Sequence, residues 1–331
     1  MPFRSDATGP APLAPSDPLE RFQALYAAFT AHASWLSDKV ALRLAAVALI
    51  TTPGDPTLLA AATHRRDAEL RARLGWITSI SSSLTVLIAA QLVKYGDDAN
   101  HFTDEVERVR EMFREVHLRR DHAYETLAVL VLRRLQAGRP IERSQALRLR
   151  DIYAAMKRHH WFLTGPEDIP TCALLVAHPG TPGEIGDGAD ALYRALHARA
   201  DLTRGDSLQT AANLLYLAGV EPTVLVDRFT TILAGFRESG TRIGSEQYDE
   251  LAVLCFLARP AAKIVALVSD YRDRLKPGIP WLGRSDALNL AANLAVADIA
   301  SQDPDALGPL PDIKLLLDMQ AIVISRAAAA S

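Results

Sequence analysis

A segment of one composition recurs seven times along the chain and constrains the fold more than any other feature. Each copy is a turn rich in Gly, Ser and Asp, followed by a helix that begins polar and becomes almost wholly apolar. The equivalent positions in the seven copies are Leu44, Leu84, Leu127, Cys172, Thr210, Leu251 and Leu290. Their spacings of 40, 43, 45, 38, 41 and 39 residues give a mean period of 41, which is typical of helical-hairpin repeats.

An amphipathic, charge-bearing helix precedes each of these apolar helices. We name the amphipathic helices A and the apolar helices B. Examples of the predicted A helices are Pro18–His32, Phe102–His117, Glu142–His159 and Glu221–Glu238. One polar face on each A helix predicts an outer layer, and apolar residues all round each B helix predict burial between neighbours. The sequence therefore predicts an all-α superhelix (solenoid) of about seven helical hairpins, with a closed α/α toroid as the alternative.

A repeat architecture also predicts the domain organisation. The chain has 331 residues, which is long for one domain, but the core of a repeat array grows with its length. We predict a single repeat domain over residues 18–326, with a last helix around Asp312–Arg326 that caps the array. Residues 1–17, rich in Pro and Ala, predict a disordered lead-in, and residues 327–331 predict an Ala-rich tail.

The composition of the chain argues against some classes of binding partner. The formal net charge is −3, whereas a domain that tracks phosphates usually has a clear excess of Lys and Arg, so the charge argues against nucleic acid. No run of about 18 apolar residues and no secretory signal occurs, so we expect no membrane partner. Cys172 and Cys255 fall in apolar stretches and predict free core thiols, which is typical of a cytoplasmic protein.

A polar stripe on the B helices is the best candidate for a binding site. The positions five before, one before and three after each landmark residue share one helix face. We interpret this face as a groove on the inner, concave surface, basic in the first copy and acidic in the sixth. The candidate groove residues are Lys39, Arg43, His122, Thr126, Glu167, Thr171, Gln209, Asn213, Glu246, Glu250, Asn289 and Asn293.

An alternative for the fifth and seventh copies stays open. Gln209 with Asn213, and Asn289 with Asn293, could form ladders between adjacent B helices inside the core. Such ladders would satisfy amides that cost roughly 1–3 kcal/mol each when they are buried without a partner.

The sequence carries no strong signature of catalysis. His159-His160 precede Glu167 and Asp168, but nine histidines in a chain of this length produce such neighbours by chance. No zinc-ligand spacing, no Gly-rich phosphate loop and no Gly-x-Ser-x-Gly elbow occurs. We therefore predict no catalytic residue, no metal and no cofactor. Short oxygen side chains at the start of the B helices, such as Asp38 and Asp121, predict N-caps.

Three stretches resemble a known family. They are Thr164-Gly-Pro-Glu-Asp-Ile-Pro170 before an apolar helix, Asp206-Ser-Leu-Gln209 at the start of the next B helix, and Tyr248 at the head of the one after. They resemble the bacterial family called domain of unknown function 4003, over about Leu19 to Ala300. The resemblance implies a helical fold and a bacterial source, and it implies no activity and no functional residues.

Two functions from different classes follow from these patterns. The first is a protein- or peptide-binding scaffold that uses the inner face of the B helices, with Glu246 and Glu250 favouring basic groups and Lys39 and Arg43 favouring acidic ones. The second is an enzyme with carboxylate acid–base chemistry at the centre of a closed α/α ring. Candidate acids for that chemistry are Glu167, Asp168, Asp206, Glu246 and Glu250. A filled centre would argue against the enzyme.

Overall fold

The protein is all-helical. The computed structural model describes residues 17–31, 38–74, 80–118, 121–159, 164–200, 202–277, 282–302 and 310–330. These residues form fifteen α-helices and no strand, which confirms the predicted all-α class. The helices are α1 (Pro18–Ala31), α2 (Lys39–Ala48), α3 (Pro56–Leu74), α4 (Ser82–Lys94), α5 (Ala99–Glu115), α6 (His122–Leu135), α7 (Arg143–His159), α8 (Ile169–Leu174), α9 (Pro182–Ala200), α10 (Asp206–Tyr216), α11 (Pro222–Glu238), α12 (Tyr248–Cys255), α13 (Ala261–Leu275), α14 (Arg284–Gln302) and α15 (Leu310–Ala330).

Helices of two kinds alternate along the chain. The seven landmark residues of the sequence lie on the seven even-numbered helices, and the predicted A helices correspond to α1, α5, α7 and α11. Eleven of the fourteen residues of α6 are buried, whereas only seven of the seventeen residues of α5 are. The difference follows from the sequence, since α6 is apolar nearly all round and α5 is apolar on one face.

Side-chain caps fix where several even-numbered helices begin. The Asp38 carboxylate accepts from the backbone N–H of Val40 at 2.9 Å, and the Asp121 carboxylate accepts from the N–H of Ala123 at 2.8 Å. These two predicted N-caps are confirmed. Ser81 caps α4; Thr78 and Ser79, which the same pattern of short oxygen side chains predicts as caps of this helix, lie outside the described residues. The four tryptophans of the sequence, Trp35, Trp76, Trp161 and Trp281, also lie outside them.

The helices pack in two sets. Odd-numbered helices contact the next odd-numbered helix, from α1 with α3 to α11 with α13, and several even-numbered helices pack on their even-numbered neighbours, for example α2 on α4 and α10 on α12. The odd-numbered helices bury large side chains on their apolar faces. Fully buried phenylalanines on them are Phe22, Phe29, Phe102, Phe113, Phe229 and Phe236. Buried apolar residues from Leu19 to Ile322 form one continuous cluster.

The first and last hairpins contact each other. Helix α14 packs against α1 and α2. An ion pair of 3.2 Å joins Arg43 on α2 to Asp286 on α14, which are 243 positions apart in the sequence. A second ion pair joins Arg274 at the end of α13 to Asp17.

The last helix is not an end cap, which corrects the prediction for Asp312–Arg326. A cap would contact the last hairpin alone, whereas α15 contacts α2, α4, α6, α12 and α14. The Gln320 amide on α15 also donates to the carbonyl oxygen of Glu167 at 2.6 Å. The physical reason lies in the sequence of α15, because a helix that is apolar on several faces needs partners on several sides. Buried apolar residues of α15 are Ile313, Leu315, Leu316, Leu317, Met319 and Ile322.

None of the described helices is both long enough and apolar enough to cross a lipid bilayer.

If α15 is part of the core, truncation of its buried side chains destabilises the whole protein. Ile313 is 6% exposed and Ile324, on the same helix, is 48% exposed. We expect Ile313→Ala to lower the free energy of unfolding by about 2–4 kcal/mol, since it leaves a cavity, and Ile324→Ala to change it by less than about 0.5 kcal/mol. Urea unfolding followed by circular dichroism measures both. Equal effects of the two substitutions would contradict the buried position of α15.

Candidate functional site

An open cleft of about 390 Å³ lies where α2, α12, α14 and α15 meet. Four predicted groove residues line it, namely Arg43, Glu246, Glu250 and Asn289. The sequence analysis put the basic and acidic residues at opposite ends of a groove. The structure brings them to one place, because α14 packs on α2.

The cleft has an acidic side and an apolar side. Carboxylates that line it are Glu246, Asp249, Glu250, Asp286 and Asp318, and apolar residues that line it are Val40, Leu44, Leu290, Ala321 and Ile322. Among the described residues that line the cleft, Arg43 is the one basic side chain. The cleft therefore attracts cations.

Two of the acids already have cationic partners. Asp286 pairs with Arg43. Asp318 pairs with Lys314 one helical turn earlier on α15, and Lys314 is fully buried. Burial alone would lower the pKa of Lys314, but the nearby carboxylates of Asp318 and Glu250 raise it above its ordinary value. Lys314 thus stays cationic inside the protein and holds Asp318 as its anionic partner.

One amide joins the two carboxyl groups of Glu250 and Asp318. The Nδ2 atom of Asn289 donates to Oε1 of Glu250 at 2.8 Å and to Oδ1 of Asp318 at 2.7 Å. One turn later, Nδ2 of Asn293 donates to Oδ2 of Asp318 at 3.2 Å and to the carbonyl oxygen of Asn289 at 3.0 Å. The polar stripe of α14 therefore binds α15 and α12.

Glu250 is the exception within this network. It is only 5% exposed, and Oε2 accepts no hydrogen bond from any residue in the described ranges. Burial, and then the charge of Asp249, raise the pKa of Glu250 well above its ordinary value, against the opposing effects of Lys314 and Asn289. The Glu250 carboxyl group therefore lies in the interior beside a second carboxyl group.

A second polar cluster links α10 to the turn that precedes α8. Nε2 of Gln209 donates to Oδ1 of Asp168 and to Oγ1 of Thr164, each at 3.3 Å. Nε2 of Gln320 on α15 donates to Oγ1 of Thr171 at 3.3 Å. Burial, and then the charges of Glu167 and Asp206, raise the pKa of Asp168 to about 7, against hydrogen bonds from the Gly165 N–H and from Gln209.

The remaining groove residues lie away from the cleft. Lys39 is exposed, and Thr126 is fully buried with its hydroxyl donating to the carbonyl oxygen of His122 at 2.8 Å. Asn213 is 1% exposed, and its Nδ2 has no hydrogen-bond partner within the part of the chain that the structure describes. Buried stripe residues that face protein are Thr126, Thr171, Gln209, Asn213 and Asn293. The Gln209 side chain bonds to residues before α8 and the Asn293 side chain bonds to α15, whereas the ladder alternative expects bonds between adjacent B helices.

Three residues of the cleft network were missed by sequence reasoning. Lys314 and Asp318 were placed on a terminal cap, although opposite charges four residues apart in an otherwise apolar helix indicate an internal ion pair. Asp249 is adjacent to Glu250 but off the stripe, so the stripe carried no signal for it. Within the described ranges, no group of three or more His, Cys, Asp or Glu side chains has the arrangement of a metal site.

The raised pKa of Asp168 makes the stability of the protein depend on pH. The value of about 7 lies above the ordinary value of 3.8, so the folded protein holds the proton more tightly than the unfolded chain. The free energy of unfolding therefore falls between about pH 4 and pH 7, by at most about 1.4 kcal/mol per pH unit. We expect Asp168→Asn to gain stability relative to wild type as the pH rises through this window, in urea unfolding at several pH values. The control is Asp227→Asn, which removes an exposed carboxylate. Parallel plots of the free energy of unfolding against pH for wild type and Asp168→Asn would contradict the raised pKa of Asp168.

The Lys314–Asp318 ion pair predicts a large cost for removal of the cation. We expect Lys314→Met to lower the free energy of unfolding by about 3–5 kcal/mol at neutral pH, because Asp318 is left as a buried, unpaired charge. Lys276→Met removes an exposed lysine that pairs with Asp273 at 2.8 Å, and should cost less than about 1 kcal/mol. Urea unfolding measures both variants. If Lys314→Met lowered the free energy of unfolding as little as Lys276→Met does, the buried Lys314–Asp318 ion pair would be ruled out.

Comparisons with known proteins identify a family for this chain. The sequence profile of a family described as "Protein of unknown function (DUF4003)" matches residues 73–328. The "Uncharacterized protein YeaA" of Bacillus subtilis (strain 168) is 32% identical over 125 residues, which cover 36% of this chain and 36% of that protein. The aligned stretch thus spans little more than a third of that relative's length. No solved structure matches the chain.

The family match begins at residue 73 and runs almost to the end of the chain. It includes the Thr164–Pro170 turn on which the resemblance was based, and it extends through α15. Because it covers more than half of the chain, the protein belongs to the family described as "Protein of unknown function (DUF4003)".

Proposed function

We propose that this protein is a binding scaffold. In this proposal seven helical hairpins form a single domain, a ring closed around the C-terminal helix α15. The cleft between the first and last hairpins binds a basic peptide segment of a partner protein. The observation that carries the proposal is the cleft itself, with five carboxylates on one side and apolar side chains on the other.

Contacts between the two ends of the chain support a ring. In an open superhelix each repeat contacts only its neighbours, so the terminal hairpins do not meet. Here α14 packs on α1 and α2, and the Arg43–Asp286 ion pair joins the same two ends. The contacts of α15 with α2, α4, α6, α12 and α14 support its central position. One continuous apolar cluster supports a single domain.

Charge supports a basic partner. Asp286 and Asp318 are paired with Arg43 and Lys314, and Glu250 lies 3.7 Å from Lys314, which leaves Glu246 and Asp249 without an ion pair in the described structure. Glu246 is exposed, and hydrogen bonds from its own backbone N–H and from Gln247 lower its pKa, so it stays ionised. Charge complementarity of this kind guides partner choice and speeds association. The buried free thiols of Cys172 and Cys255 are consistent with a cytoplasmic location.

Carboxylate acid–base catalysis is the second candidate, and one observation favours it. Glu250 and Asp318 share the amide of Asn289; the pKa of Glu250 is raised, and Asp318 forms an ion pair with Lys314. Two carboxyl groups in such different environments resemble an acid and base pair. We prefer the scaffold because Asp318 is 4% exposed and already bonds to Lys314, Asn289 and Asn293. A scaffold binds its ligand without changing it chemically. Mass spectrometry of the ligand after incubation with the protein tests this directly.

Selection from a displayed random-peptide library tests the scaffold function. We expect wild-type protein to enrich sequences with Lys or Arg residues. We also expect the double variant Glu246→Gln/Asp249→Asn to bind the enriched peptides at least about tenfold more weakly, because it removes two charges from the cleft. The control is Glu221→Gln, an exposed acid at the start of α11. Melting curves verify that each variant is folded.

Two results would overturn the proposed function. In the first, no peptide is enriched on the wild-type protein. In the second, the enriched peptides bind the double variant as tightly as wild type, which would place their site away from the cleft.

A further inference from the structure

We propose that a second cavity, on a different face of α15 from the acidic cleft, binds a short aliphatic carboxylate such as hexanoate. The cavity has a volume of about 120 Å³ and is lined by residues of α4, α6, α8 and α15. It shares no lining residue with the acidic cleft among the residues that the structure describes. The inference therefore goes beyond the proposed scaffold function and does not depend on it.

Helix α15 presents different faces to the cavity and to the cleft. Asp312, Leu316 and Met319 line the cavity, and their spacing of four and then three residues places them on one face of the helix. Asp318 and Ile322 line the cleft and are four residues apart on another face. A ligand in the cavity would thus leave the cleft free.

Apolar side chains form the walls of the cavity. They come from α6, from the end of α8 and from α15, and they include Leu130, Val131, Leu135, Leu174, Leu316 and Met319. Apolar cavities of about 150 Å³ can hold benzene, which has six carbon atoms, so a volume of about 120 Å³ suits an alkyl chain of about five or six carbons. The flexible side chain of Met319 can adapt to the shape of such a chain.

A buried amide without a partner opens into this cavity. Gln91 on α4 is 4% exposed and lines the cavity, and its side-chain amide makes no hydrogen bond to any of the described residues. Unpartnered polar atoms that are sealed from solvent occur at Asn213, whereas the amide atoms of Gln91 are not sealed in this way. An unpaired buried amide is costly, and a ligand oxygen that accepts from it removes that cost.

Arg134 supplies a cation beside this amide. The guanidinium lies over the ring of Tyr95, with Cζ 3.0 Å from the ring centroid, and the hydroxyl of Tyr95 donates to Asp312. Tyr95 follows Gln91 by one helical turn, so the guanidinium and the amide lie along the same face of α4. Arg134 is half-buried, which strengthens its attraction for an anion compared with a fully hydrated cation.

The acids near Arg134 already have other cationic partners. Asp312, which also lines the cavity, pairs with Lys94 at 2.8 Å. Asp97 accepts two hydrogen bonds of 2.7 Å from Arg133. Arg134 itself forms no ion pair with a carboxylate of the described residues, so the cavity carries an excess positive charge. Charge complementarity therefore favours an anionic ligand.

These observations define the ligand by its chemistry. The apolar walls take the alkyl chain, and the guanidinium of Arg134 binds the carboxylate, which matches its planar set of donors. The amide of Gln91 donates to a carboxylate oxygen. A neutral ligand of the same length would leave Arg134 unpaired, and an alkylammonium would be repelled by it.

Three probes of equal chain length test the inference on the full-length protein. They are hexanoate, the neutral hexanamide and the cationic hexylammonium. We expect hexanoate to bind with a dissociation constant of about 1 mM or lower, and hexanamide to bind at least about tenfold more weakly, because it lacks the charge. We expect hexylammonium not to bind. Titration at neutral pH, followed by nuclear magnetic resonance of the ligand, gives the constants.

Variants locate the binding within the cavity. Arg134→Met removes the cation and should weaken the binding of hexanoate at least about tenfold, to the level of hexanamide. Leu135→Trp fills the cavity from a half-buried position and should abolish the binding of both probes. The matched control is Arg139→Met, which removes an exposed arginine just after α6 and should bind hexanoate as wild type does. Circular dichroism verifies that each variant is folded.

Three results would overturn the inference. The first is no binding of hexanoate to the wild-type protein at about 10 mM. The second is equal binding of hexanoate and hexanamide, and the third is unchanged binding of hexanoate to Arg134→Met. If Leu135→Trp fails to fold, Arg134→Met still decides, because it leaves the apolar walls intact. The peptide selection for the cleft affects none of these results, so the two proposals fail independently.

Discussion

A buried lysine determines how the last helix sits among the others. Lys314 is fully buried, and an ammonium in the interior of a protein is tolerated only when it is paired and hydrogen-bonded. Its partner Asp318 lies one turn along the same helix and also accepts hydrogen bonds from Asn289 and Asn293 of α14. Rotation or sliding of α15 by one residue would separate Asp318 from Asn289 and Asn293. The network therefore specifies one register for α15, while the surrounding apolar contacts supply most of the stability.

The register of α15 has consequences for the inner helices. Thr171 is 2% exposed and Asn293 is 6% exposed, although both belong to a stripe that would face an empty interior. They are buried because Gln320 and Asp318 of α15 bond to them. The same helix leaves the cleft open beside Ala321 and Ile322, between α2, α12 and α14. The polar face of the even-numbered helices is thus partly an interface with α15 and partly a candidate surface for a ligand.

Features that depend on residues close together in the sequence could be predicted, whereas features that depend on residues far apart in the sequence could not. Helix alternation and the caps Asp38 and Asp121 were predictable, because they rest on spacing within one turn of helix or within one hairpin. The position of α15 was not, since it depends on contacts such as Lys94 with Asp312, which are 218 residues apart. The stripe predicted a polar face on the B helices from spacing within one helix. It could not indicate which parts of that face another helix would cover.

An ion pair with a cationic side chain, more than residue type, distinguishes the structural carboxyl groups from the candidate binding ones. Asp318 and Glu250 are both carboxyl groups, both almost completely buried and both bonded to Asn289. Asp318 also has a cation of its own, so its charge is balanced within the fold. Glu250 lies against Asp249, and repulsion between two carboxylates is relieved either by a proton or by an external cation. Burial therefore costs Glu250 more than it costs Asp318, because no close ion pair compensates for it within the fold.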